Sequence, residues 1–179
     1  EFVRPINLQV ERTSVPDVLR DAIVRSDGHG TRGQVDIVTR VDDALPEIQG
    51  DHMQLRQLFT NLLINAFEAL EGRGLITLAA RFTPSDEDPV AAAEPPDTSE
   101  SIVIEVDDNG PGIPSDVTEK IFSPFFTTKP RGSGLGLAIV RKIVDAHDGR
   151  IDVRRRSAGG TRFQITLPVA GEFEDGSRT

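Results

Sequence analysis

A chain of 179 residues is long enough for one ordinary domain with its own core, or for one domain and a fragment of another. Lys and Arg number 20 against 29 Asp and Glu, a net charge of −9, which argues against a protein that holds nucleic acid through its phosphates. Cysteine is absent, so a disulfide scaffold, a thiol nucleophile and cysteine-ligated zinc are excluded; the three histidines, His29, His52 and His147, lack the spacing of a helical metal pair.

In chain order, Val15 to Arg25 carries Pro16 in its first turn and apolar Val18, Leu19, Ala22 and Ile23, the pattern of an amphipathic helix ending near Gly28. Asp36 to Val41 reads as a short strand. Asp51 to Leu70 predicts a long helix, capped by Asp51 and stopped by Gly72 to Gly74, with Leu55, Leu58, Phe59, Leu62, Leu63, Ala66, Phe67 and Leu70 along one face. Leu75 to Phe82 and Ser101 to Asp107 alternate as strands of one hairpin. Its tip, Thr83 to Glu100, holds four prolines, six acidic residues and no basic one, and reads as a disordered acidic loop, so the folded part is only mildly acidic. Leu135 to Ala146 predicts a second strong helix with Gly149 past its end, Arg150 to Arg155 and Thr161 to Pro168 are closing strands, and residues 171–179 read as a flexible tail. Helices interleaved with hairpin-connected strands predict an α/β (α+β) two-layer sandwich, a mixed and mostly antiparallel sheet with helices on one face. No apolar run approaches the ~18 residues of a membrane span, and the first residues lack a signal-peptide core, so the chain reads as soluble.

Five segments could carry chemistry. Asn61 and Asn65, four residues apart on the long helix, put two amides on one face beside the buried stripe. Asparagine is a mediocre helix former, so the pair is either a set of oxygen ligands for a hard cation such as Mg²⁺ or a buried amide network. DDNGPGIP, Asp107 to Pro114, follows a strand directly; Gly110 and Gly112 permit a tight turn and Asp108 can accept from an exocyclic amine such as adenine N6, or the segment is a plain loop. IFSPFFTTK, Ile121 to Lys129, clusters Phe122, Phe125 and Phe126, as core anchors or a docking surface, next to a lysine within reach of a phosphate. GSGLGLAIV places Gly132, Gly134 and Gly136 at a helix start, where successive N–H groups hold anions. No Gly-Lys-Ser/Thr follows, which excludes a Walker loop, and no strand precedes, which argues against a dinucleotide turn. GGT, Gly159 to Thr161, is a hairpin turn or a means of bringing a hydroxyl to a base.

In this order the segments resemble the catalytic ATP-binding domain of two-component sensor histidine kinases, within the family shared with DNA gyrase, the ninety-kilodalton heat-shock chaperone and MutL. PFFTTK with a very short lid before GSGLGL is similar to the nitrogen-sensor subclass. The resemblance spans residues 8–170 and implies ATP and Mg²⁺ as cofactors, with the nucleotide between helices and lid. It implies that Asn65 ligates the metal with Asn61 assisting, that Glu68 reaches the metal's water shell or is merely solvated, and that Asp108 reads adenine with help from Thr161. Gly134, Leu135, Gly136 and Leu137 would cradle phosphates with Gly132 as a lid hinge. Gly110, Gly112, Ile113, Phe122, Thr127, Thr128, Lys129 and Ser133 complete the implied nucleotide set. Residues 1–7 would be the end of a preceding dimerisation helix or a cloning remnant.

None of the three histidines stands in the acceptor context of these kinases, a histidine within a helix of a dimerisation domain with an acidic neighbour just after it. His147 is followed by Asp148, but it lies at the end of the helix that GSGLGL opens, next to its glycine stop. The expected partners are therefore a histidine-bearing dimerisation domain of the same parent and a response regulator, with no nucleic acid. The fragment itself should be monomeric and cytoplasmic, from a parent that an inner-membrane anchor could tether. A conformational-clamp ATPase of the gyrase, chaperone or MutL type is the rival, but those hydrolases place a glutamate at position 61 to activate water, and Asn61 cannot take a proton. An anti-sigma serine kinase shares the asparagine motif but usually lacks the phenylalanine segment.

Overall fold

The first two helix starts follow from their caps. In the computed structural model, which describes residues 6–27, 33–84, 100–130 and 132–169, the Ser14 hydroxyl accepts from the Asp17 N–H at 3.4 Å to begin helix α1 (Val15–Ser26). Asp51 begins α2 (His52–Leu70): its Oδ1 accepts from the Gln54 N–H at 3.0 Å and its Oδ2 from the Gln9 N–H at 2.9 Å. Burial disfavours that charge, but the N–H groups of Gln9, Gln54 and Met53 outweigh it and hold the carboxyl below its ordinary pKa. At the far end the left-handed turn is taken by Glu71 (φ 50°), ahead of the glycines expected to stop the helix. The third helix, α3 (Gly136–Ala146), starts one residue later than the periodicity predicts, at a junction with no side-chain cap.

Strands β1 (Glu11–Thr13) and β3 (Ile48–Gly50) form a small antiparallel pair that three-residue segments are too short to announce by alternation. The main sheet contains β2 (Gln34–Val41), β4 (Arg73–Thr83), β5 (Ser101–Asp108), β6 (Arg150–Arg155) and β7 (Thr161–Pro168), in the order β2-β4-β5-β7-β6. β2 and β4 run parallel because the chain crosses over through α2 between them; every other neighbour is antiparallel. Helices cover one face, where Ile102, Ile104 and Val106 of the central β5 meet the α2 stripe and Ile143 and Val144 of α3. The opposite face is polar. There Arg162 holds Asp107 through two bonds of 2.8 and 2.7 Å. The predicted sandwich is the one observed, while most of the predicted acidic loop and the predicted tail lie outside the described residues.

His147 joins α3 to the start of α2. It is buried, and its Nδ1 must donate to the Ile143 carbonyl at 2.8 Å, leaving Nε2 to accept from the Asp51 N–H at 3.0 Å. A Cβ at Gly50 would stand 2.9 Å from Leu55 and 3.3 Å from the imidazole, so the ring and the α2 start are packed against bare backbone. His147→Ala should therefore cost about 1–3 kcal/mol for the orphaned N–H, with lost packing added. Denaturant unfolding of both proteins checks this, and an unchanged midpoint would remove the joint from the account.

Candidate nucleotide site

The loop after β5, the first turn of β7, one face of α2 and the start of α3 border a single cavity of about 610 Å³. Its deep end holds Asp108, 3% exposed. Both observed bonds to this carboxylate fall on Oδ1, from the N–H of Gly110 at 2.9 Å and of Thr161 at 3.3 Å, so Oδ2 is the atom left for a ligand's donor. Burial pushes the pKa of Asp108 above the ordinary value, against the pull of those two N–H groups. The Thr161 hydroxyl accepts from the Ile113 N–H at 3.1 Å, which leaves its own hydrogen free to turn toward a ligand.

At the other end, the Asn65 amide oxygen and the Glu68 carboxylate, one helical turn apart, both hold the ammonium of Lys129; the Asn65 bond is 3.0 Å. The segment from Thr127 to Ser133 has no apolar residue to anchor it, and its anchor is this polar one; Arg131 within it lies outside the described residues. Asn61 is engaged elsewhere: its oxygen accepts from Gln57 Nε2 at 2.8 Å and its nitrogen donates to the Gly136 carbonyl at 3.2 Å, tying α2 to the start of α3. That start has backbone donors to spare. Leu135 is its N-cap residue with no side-chain cap, so first-turn N–H groups remain for a ligand.

The cavity wall includes fifteen of the eighteen residues implied for nucleotide binding, the expected pair Asn61 and Asn65 among them. Phe122, Gly110 and Leu135 do not line it. Phe122 packs edge-on against Phe163, with ring centroids 6.4 Å apart, under the Arg141 guanidinium at 5.9 Å. Phe126 and Ile121 supply the apolar wall instead. The choice among three phenylalanines was not readable, because the segment runs through turns and has no helical or strand period to assign its faces. Gly110 serves through its N–H on Asp108, and the N–H of Leu135 points to Ser133 Oγ at 3.3 Å. Ile64 and Val117 were missed as wall residues; Ile64 lies between the two asparagines, outside the apolar stripe predicted for α2.

Residues 50–171 match the family described as histidine kinase-, DNA gyrase B- and HSP90-like ATPase. The chain belongs to this family. Among curated relatives, the sensory histidine kinase/phosphatase NtrB of Rhodobacter capsulatus is 40% identical over 165 residues, covering 90% of this chain and 44% of NtrB. The nucleotide-free catalytic domain of histidine kinase ThkA superimposes with a TM-score of 0.73 at 30% identity, covering 90% of this chain and 96% of that one. Full-length ShkA in complex with AMPPNP gives 0.74 at 27% identity, with 93% and 32% covered. The chain is thus similar to sensor histidine kinase catalytic domains, with NtrB matching the nitrogen-sensor likeness of PFFTTK, and it spans less than half the length of its curated relatives.

Proposed function

We propose that this domain binds Mg-ATP and donates the γ-phosphoryl group to a histidine on a separate dimerisation domain of its parent, which in turn feeds a response regulator. The observation that carries this reading is one cavity with a buried carboxylate at one end and oxygen acceptors already holding an ammonium at the other. Asp108 Oδ2 accepts from the adenine amine, and Thr161 supports it through its hydroxyl. The uncapped N–H groups at the α3 start receive phosphate oxygens, and Gly134 and Gly136 keep side chains out of their way. The ammonium seated between Asn65 and Glu68 is the sign that these oxygens suit a hard cation. No cluster of three or more His, Cys, Asp or Glu that could hold a metal exists among the described residues, so phosphate oxygens and water must complete the shell. Bound magnesium would supply charge neutralisation at the phosphates.

The histidines favour an external acceptor. His147 uses both nitrogens inside the fold, and His52 pairs with Asp21 at 2.8 Å, outside the cavity wall. His29 lies outside the described residues. Hydrolysis should be slow, because the amide at position 61 cannot act as a general base. No described helix is long and apolar enough to cross a membrane, and we place the domain in the ATP-rich cytoplasm. Incubation with γ-labelled ATP tests the whole reading. Label should appear on a separately supplied dimerisation domain, in an acid-labile form and with concentration dependence, and not on this chain. Label on this chain alone, or none on the acceptor at any concentration, would overturn it.

A further inference from the structure

Arg156 lies in the β6–β7 turn, outside the cavity, yet its guanidinium holds both residues at the end of β5. Its Nη1 donates to the Asp108 carbonyl at 3.0 Å, and its Nε stands 3.5 Å from the Asp107 carboxylate. Successive strand residues point to opposite faces, so Asp107 lies on the polar face and Asp108 on the cavity side. One planar fork spanning the two fixes the rotation of the strand end between them. The same turn closes from the other side. Its Gly160 packs so tightly that a Cβ would fall 1.9 Å from the Asp108 carbonyl oxygen, and the Arg156 N–H donates to the Gly160 carbonyl at 2.9 Å. Arg162 differs: it pairs with Asp107 and Glu105 but makes no bond to Asp108.

We propose that Arg156 is a positioning residue for base selection, setting where Asp108 Oδ2 presents itself to the exocyclic amine of adenine. The proposal rests on the nucleotide reading above. A group that fixes Oδ2 affects only ligands that bond to it, whereas a merely structural residue affects all nucleotides alike. The probe is the ratio of the affinities for ATP and for purine riboside triphosphate, which lacks the amine.

The wild type should prefer ATP by about tenfold or more, the worth of one charge-assisted bond. Arg156→Gln should cut that preference by about threefold to tenfold while leaving the affinity for the amine-free analogue nearly unchanged. Arg156→Lys keeps a positive charge near Asp107 but cannot span both contacts, so it should lose the preference too. Arg162→Gln should keep it. Full preference in either Arg156 variant, or equal loss in Arg162→Gln, would overturn the positioning role. A wild type without any preference would instead defeat the reading of Asp108 itself, so the two failures are told apart. Thermal unfolding of the four proteins without nucleotide serves as the fold control.

Discussion

Asp108→Asn should lower ATP affinity by about tenfold to a hundredfold, the equivalent of a lost charge-assisted hydrogen bond of roughly 1.5–3 kcal/mol. The geometry makes the substitution selective. An amide oxygen can keep the bonds that Oδ1 accepts from Gly110 and Thr161, so the amide nitrogen must occupy the position of Oδ2. A donor then faces the donor on adenine N6. Titration with ATP and GTP checks this; unchanged affinity and an unchanged preference for ATP would show that Asp108 does not read the base. Stability without nucleotide should respond with a definite sign. Burial raises the folded-state pKa of Asp108 above its unfolded value, so the native state binds more protons between the two values, and stability from this group is lost as pH rises through the folded value. Asparagine does not titrate. The stability of the variant relative to the wild type should therefore improve from acid to neutral pH, and a difference that moved the other way would contradict the assigned burial cost.

Much of this site is legible in sequence because its groups lie on elements whose period is strong. Asn61 and Asn65 are placed by the helical repeat of α2, and Asp108 by the strand that precedes it, so spacing singles these residues out as candidates, while the roles proposed for them toward base and metal come from the family resemblance. What sequence could not convey is how contacts close between distant turns. Arg156 looks like one of three consecutive arginines on a solvated strand end, and only the pairing of β7 beside β5 brings it to Asp108. His147 reads as a residue near a helix stop, yet its partner is 96 positions away. Lys129 was visible as a possible phosphate contact, but its seat on Asn65 and Glu68 depends on how the turns from Pro114 to Gly134 fold back over α2. The short β1–β3 pair was missed for a related reason, since three residues offer no period.

The glycines of GSGLGL are alike in sequence and unlike in structure, and that difference gives the sharpest separation of fold from ligand. Gly134 has φ 68°, and a Cβ there would stand 2.4 Å from the carbonyl carbon of Phe125, itself left-handed at φ 66° and joined to Gly134 by a 2.9 Å bond from its N–H. Gly134→Ala should therefore force the base of the lid apart, costing about 1–3 kcal/mol in backbone strain alone and weakening every nucleotide by misplacing the α3 start. Gly136 has no such constraint: its φ is ordinary, and a Cβ would meet nothing within 4 Å. At the first position of a helix, alanine should stabilise the nucleotide-free protein by roughly 0.5–1 kcal/mol. The added methyl would stand at the cavity wall, where phosphate oxygens must approach uncapped N–H groups, so ATP affinity should fall about tenfold while adenosine binds as before. Melting temperature and the two affinities, measured on both variants, decide the matter. A Gly136→Ala protein that is more stable and still binds ATP as tightly as the wild type would show that the triphosphate is not seated at the α3 start. A loss of adenosine affinity equal to that of ATP would mean that the methyl disturbs the cavity as a whole.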